Sequence, residues 1–152
     1  MILCGGLLSA FALRLYHLTY SGFWFDEAAS YFIASKGLVG IFEYVRLAPG
    51  EHPPIYYWLL YLWIAGAGAS EFAMRFFSVW FGVLFIALFY RFARHHFAHP
   101  LPLIATMLAV PLPYLADYSQ EARMYTLVLC FSVLAMDYFL RWARGERLAA
   151  IQ

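Results

Sequence analysis

Charge is what this chain has least of. Asp, Glu, Lys and Arg make up 12% of its 152 residues, while 64% are hydrophobic and 21% aromatic. A soluble domain is about half apolar and about a quarter charged. The composition therefore excludes an ordinary soluble globule and predicts an all-α, polytopic membrane helix bundle. The formal net charge of +1 excludes the basic footprint of a nucleic-acid binder. Cysteine is scarce too. Cys4 and Cys130 both sit inside apolar runs, so they read as small core or lipid-facing residues and not as a disulfide or a metal site. No basic segment precedes the first apolar run, since Met1 leads straight into Ile2-Leu3-Cys4, which argues against a cleaved signal peptide. Both ends read as cuts in a longer chain, so an N-terminal fragment is expected.

What is present is a succession of apolar runs. Residues 1–20 are long enough to cross about 30 Å of hydrocarbon. Arg14, near the end of that run, is expected to snorkel to the interface beside Tyr16 and Tyr20; the alternative is that it faces the bundle interior. Residues 21–71 form a structured loop. Ser21-Gly22 ends the first helix, Asp26-Glu27 opens a short helix to Ser35, Lys36-Gly37 closes it, and 38–47 can form another. Residues 55–67 are apolar and aromatic but number only about 13, which suits an interfacial helix. Spans follow at 72–93, 101–116 and 122–140, the second expected to kink at Pro111 and Pro113.

The arginines arbitrate the topology. With 55–67 not crossing, there are about four spans. Asp26-Glu27, Glu51-His52 and Glu121-Arg123 then share one face, and Arg91, Arg94, Arg141, Arg144 and Arg147 share the other. Arginine concentrates on the cytoplasmic side, so the acidic stretches and the 21–71 loop are expected outside. With 55–67 crossing, both groupings split.

Three stretches carry chemistry. Asp26-Glu27 supplies two carboxylates at a water–lipid boundary, fit for a base and an orienting or metal ligand; a helix N-terminus alone also favours acids there. Glu51-His52-Pro53-Pro54 holds a carboxylate and an imidazole on stiff backbone, suited to a divalent ion or a phosphate, or simply an exposed turn. In Tyr118-Ser119-Gln120-Glu121-Ala122-Arg123-Met124-Tyr125, a helix start is expected at Asp117 or Ser119. Glu121 and Tyr125 then fall on one helical face, with Arg123 at the edge for a phosphate. His95-His96-x-x-His99 reads as a plain basic loop, and Asp137 is expected to pair with Arg141.

In this order and approximate spacing, Phe23-Trp24-Phe25-Asp26-Glu27-Ala28, Glu51-His52-Pro53-Pro54-Ile55-Tyr56-Tyr57-Trp58, Ser70-Glu71-Phe72-Ala73-Met74-Arg75 and the 118–125 stretch resemble one family. It is the N-terminal part of bacterial C-type membrane glycosyltransferases, of the protein-mannosyltransferase and aminoarabinose-transferase group. The resemblance implies a hexosyl or pentosyl transferase that takes sugar from a polyprenyl-phosphate donor. An acceptor protein or glycolipid hydroxyl would attack with inversion, in the bacterial inner membrane at a site facing the periplasm or exterior. It implies Asp26 as the catalytic carboxylate and Glu121 as a second acid facing the site. Glu51 matches a position that binds a divalent metal ion. His52, Arg123, Glu27 and Tyr125 fall to substrate and phosphate binding. Ala29 stands where the aminoarabinose-transferase relatives carry an arginine, so phosphate binding must use other residues. Family members are several times longer, so this chain is expected to hold part of a site. The competing reading is a non-catalytic membrane module or truncated copy acting as an assembly partner.

Overall fold

The computed structural model describes residues 2–48 and 53–146. Glu51, His52 and Arg147, all named above, lie outside the described residues. Among the described residues the chain is all helix and turn, with no strand. The helices are α1 (Ile2–Leu15), α2 (Phe25–Ala34), α3 (Gly37–Leu47), α4 (Pro54–Ala67), α5 (Glu71–His96), α6 (Leu101–Ala109), α7 (Pro113–Asp117) and α8 (Tyr125–Ala143).

Four segments run alternately up and down. Arg75 on α5 reaches the carbonyl of Leu18, Gly82 faces Arg14, and Ile86 packs with Ala10, so α1 and α5 are antiparallel. Met107 meets Gly6 and the Val110 carbonyl meets Arg14, so α6 follows the direction of α1. Ser78 bonds the Arg123 carbonyl, Cys130 the Phe81 carbonyl and His96 Asp137, so α8 runs parallel to α5. One end of the bundle therefore gathers Leu18, Glu71 and Ala122. The other gathers His96 and Asp137. Two helices, α5 (26 residues) and α8 (19 residues), are long and apolar enough to cross a membrane. Their outward faces remain apolar, with Trp80, Val128, Phe131, Met136 and Phe139 exposed, as a lipid-facing surface requires.

The three short helices build a second core against the first-named end of the bundle. Ile33 and Ala34 of α2, Ile41 of α3 and Tyr56, Tyr57 and Leu60 of α4 cluster with Met74, Phe77, Ala122 and Leu127. Trp58 and Trp63 latch the helices by donating indole N–H bonds to the carbonyls of Leu38 (2.9 Å) and Ala73 (2.8 Å). Both ends of α4 stay near this end of the bundle. Pro53 lies beside Tyr114, Tyr118 and Tyr125, and Ala67 passes within a short turn to Glu71.

Several expectations are corrected. Helix α1 stops at Leu15, about 21 Å long, because His17 adopts φ 57°, the left-handed region where a helix cannot continue. Arg14 does not snorkel: it is wholly buried and donates to Ser119 Oγ (3.1 Å) and to the carbonyls of Ala10 (3.1 Å) and Val110 (3.4 Å). The inward-facing alternative is the one realised. The 101–116 run does break near its end as expected: Val110–Leu112, which holds Pro111, separates α6 from α7, whose first residue is Pro113. No helix starts at Asp117 or Ser119. Residues 118–124 form a chain of turns and α8 begins at Tyr125, so Glu121 and Tyr125 do not share a helical face. His95 and His96 are no loose loop. They end α5, with His96 bonded to Asp137 (2.9 Å) and His95 to Glu146 (3.1 Å). Asp137 does meet Arg141, but at 4.0 Å, and His96 is its closer partner.

Candidate active site

The turn segment 118–124 is where the elements meet. Successive residues touch different helices. Ser119 accepts from Arg14 of α1. The Gln120 amide donates to the carbonyls of Leu13 (3.4 Å), Arg14 (3.2 Å) and Tyr16 (2.8 Å), satisfying carbonyls that a helix end leaves without partners. The Ala122 N–H donates to Glu27 of α2 (2.9 Å). Arg123 Nη1 donates to the Asp26 carbonyl (3.3 Å), while its own carbonyl accepts from Ser78 of α5 (3.2 Å).

Asp26 and Glu27 both occupy the first turn of α2, where free N–H groups favour negative charge. Their environments are opposite. Glu27 is 1% exposed and receives a fork from Arg75: Nε to Oε1 at 2.8 Å and Nη2 to Oε2 at 2.7 Å. The Ala122 N–H and, at 3.4 Å, the Trp24 N–H complete its shell. Arg75 spends its remaining donors on the carbonyls of Leu18 (2.9 Å), Ser21 (2.7 Å) and Gly22 (3.2 Å). This buried pair ties α2, α5, the end of α1 and the 118–124 turns together. Asp26 points outward, its side chain 53% exposed, with Arg123 Nη2 3.8 Å from Oδ2.

Two cavities flank the turns. A polar one of about 440 Å³ collects His17, Glu27, Arg75, Asp117, Gln120 and Glu121. Burial, and secondarily the Glu27 carboxylate, push the Glu121 carboxyl above its ordinary range; Arg123 opposes this. An apolar groove of about 600 Å³ is walled by Tyr114, Leu115, Tyr118, Met124, Tyr125 and Val128. Tyr118 stacks edge-on against Tyr125, and the Arg123 guanidinium lies 5.7 Å from the Tyr125 ring centre. Arg123 thus stands between the groove and Asp26.

The expected site residues do not all line one cavity. Glu27 and Glu121 share the polar cavity, whereas Asp26, Arg123 and Tyr125 form the adjoining surface that leads to the groove. Arg75, the last residue of the 70–75 motif, is a participant to which the sequence reading gives no role. A guanidinium four residues into the apolar run at 72–93 was its signal, since an ionisable group there needs a buried partner. Among the described residues no group of three or more His, Cys, Asp or Glu could hold a metal ion, and the expected metal position, Glu51, lies outside them.

Fold and site together define an all-helical membrane protein with a carboxylate–guanidinium cluster at one end of its bundle. The chain belongs to the dolichyl-phosphate-mannose-protein mannosyltransferase family, whose family model matches residues 51–151. Membership points to glycosyl transfer of the mannosyltransferase type. Glu71, Arg75, Glu121, Arg123 and Tyr125 fall within the matched stretch, and Asp26 and Glu27 precede it. Comparison with curated proteins and with solved structures gives no match.

Proposed function

We propose that the chain takes part in moving a sugar from a polyprenyl-phosphate donor to an acceptor hydroxyl on a protein or glycolipid, with inversion. The observation that carries this is Arg123, set between a solvent-open carboxylate, Asp26, and a tyrosine-walled apolar groove. A lipid phosphate needs such a junction: an apolar channel for its chain, a guanidinium for its phosphate, and a base where the acceptor arrives.

In the proposed step the acceptor oxygen bonds to the anomeric carbon as the bond from that carbon to the phosphate oxygen breaks. The acceptor proton passes to Asp26. The bonding pair leaves with the polyprenyl phosphate, whose growing charge Arg123 offsets. Tyr125 holds Arg123 by its ring face. Glu121 is the second acid of the site, and Glu27, locked to Arg75, positions the turn that carries Arg123. His52 would contact the donor phosphate, and Glu51 would hold a divalent cation that helps neutralise it.

We place the reaction on the exterior or periplasmic face of a bacterial inner membrane. Arg91, Arg94, Arg141 and Arg144 sit at the opposite end of the bundle, which supports that orientation. The test is transfer of radiolabelled mannose from polyprenyl-phosphate mannose in membranes carrying the protein. Asp26→Asn should cost roughly 10²–10⁴-fold in rate, the usual contribution of a positioned base. Unchanged transfer would remove Asp26 from the chemistry.

A further inference from the structure

We propose that the opposite end of the bundle holds a second ligand site, one for the phosphate of an anionic phospholipid headgroup. A cavity of about 300 Å³ opens there between α5 and α8, lined by Tyr90, Arg91, Arg94, His95, Asp137 and Arg141. Three of its six lining residues are arginines, and only one is a carboxylate.

The carboxylates at this end are already engaged. Asp137 is held by His96 at 2.9 Å and by Arg141 at 4.0 Å. Glu146 is held by His95 at 3.1 Å and by Arg141 at 3.5 Å. Among the described residues no carboxylate comes within ion-pair distance of Arg91 or Arg94. They stand three residues apart on α5, a spacing that puts both on one face. Two exposed guanidiniums therefore border a concave site whose one lining carboxylate, Asp137, is held by His96 and Arg141. A guanidinium presents a planar fork that matches phosphate oxygens two at a time.

The surroundings favour a lipid over a free anion. Phe97, Tyr138, Phe139 and Trp142 are exposed at the same end, and aromatic rings of this kind settle at headgroup depth. They offer acyl chains apolar surface at the same end of the bundle as the arginines. Basic pockets between membrane helices bind acidic headgroups by this combination. The site lies at the far end of α5 from Glu27 and Asp26 and is independent of the glycosyl-transfer reading.

The experiment is native mass spectrometry of the purified full chain, comparing retained phosphatidylglycerol with phosphatidylcholine. The parent should retain phosphatidylglycerol selectively, and Asp26→Asn should retain it equally. The double variant Arg91→Gln/Arg94→Gln should weaken retention roughly 25-fold, at about fivefold per arginine. Arg46→Gln, an exposed change on α3, should leave it unaltered. If the glutamine pair fails to fold, Arg91→Lys/Arg94→Lys serves instead, keeping charge but losing the fork, and should give an intermediate loss. Retention unchanged in either arginine pair overturns the site. Displacement of the lipid by equimolar inorganic phosphate overturns the lipid assignment.

Discussion

Asp26 and Glu27 are adjacent carboxylates with separate duties, and the difference lies in what each touches. Both acidic side chains gain from the α2 N-terminus, but only Glu27 is buried, and it is buried already paired. Breaking a buried pair by removing one partner leaves an uncompensated charge. Arg75→Gln should therefore destabilise the fold by about 3–5 kcal/mol, read as a lowered Tm in detergent, whereas Asp26→Asn, at an exposed position, should leave Tm nearly unchanged. Glu121 behaves in a third way. Its carboxyl is held above the ordinary range, by burial first and the Glu27 charge second. The folded state then binds this proton more tightly than the unfolded state does. Its contribution is present below the unfolded pKa and is lost as pH rises through the folded one. Thermal melts between about pH 4 and about pH 8 should show Glu121→Gln gaining on the parent as pH rises. A stability difference that stays flat, or that moves toward the parent as pH rises, would contradict the assigned burial.

At the level of elements, the decisive one is not a helix. The 118–124 turns bind α1 through Ser119 and Gln120, α2 through Ala122 and Arg123, and α5 through the Arg123 carbonyl. For Ser119 to sit beside Arg14, α5 must yield space, and it does so at Gly82. A Cβ there would meet Ser119 Oγ head-on, with Ser119 Cβ at 2.8 Å and Arg14 Nε at 3.1 Å. Gly82→Ala should cost about 1–3 kcal/mol, typical of overpacking, despite the better helix propensity of alanine. The check is a Tm measurement alongside Gly66→Ala, which meets open space on α4. A loss no greater at Gly82 than at Gly66 would show that the turns are not pressed against α5.

On the scale of the molecule, the bundle separates two chemistries. Asp26, Glu27 and Glu121 with the apolar groove sit at the Glu71 end, and the cavity bordered by Arg91, Arg94 and Arg141 at the His96 end. The alternation of α1, α5, α6 and α8 puts Glu121 and Glu71 together and His95 apart from both. Single cysteines at Glu71, Glu121 and His95, in a background lacking Cys4 and Cys130, should divide accordingly. An impermeant thiol reagent applied to intact cells should label the first two and spare the third. Labelling of His95 but not Glu121 would mean that the ends of the bundle are assigned to the wrong sides. The exposed apolar faces of α5 and α8 are the surfaces left for lipid or further helices.

The helical class, the loop helices and the run at 72–93 were legible in the residues, because apolar length and Gly or Pro punctuation are local signals. Lys36-Gly37 marked a real break, with Gly37 at φ 74°. The 118–125 stretch announced its importance by concentrating polar groups between apolar runs. Its conformation was not announced. Capping-type spacing suggested a helix, yet Ser119, Gln120 and the Ala122 N–H find better partners on α1 and α2, far away in sequence, than a new helix would offer. Arg14 and Arg75 show the same limit. Composition places a charge near a span end, but whether it turns to water or inward depends on which carbonyls and carboxylates wait there. Hydrophobic periodicity sets the elements. Which partners the buried charges find, 48 positions away for Glu27 and Arg75 and 105 for Arg14 and Ser119, is settled only when the helices are packed.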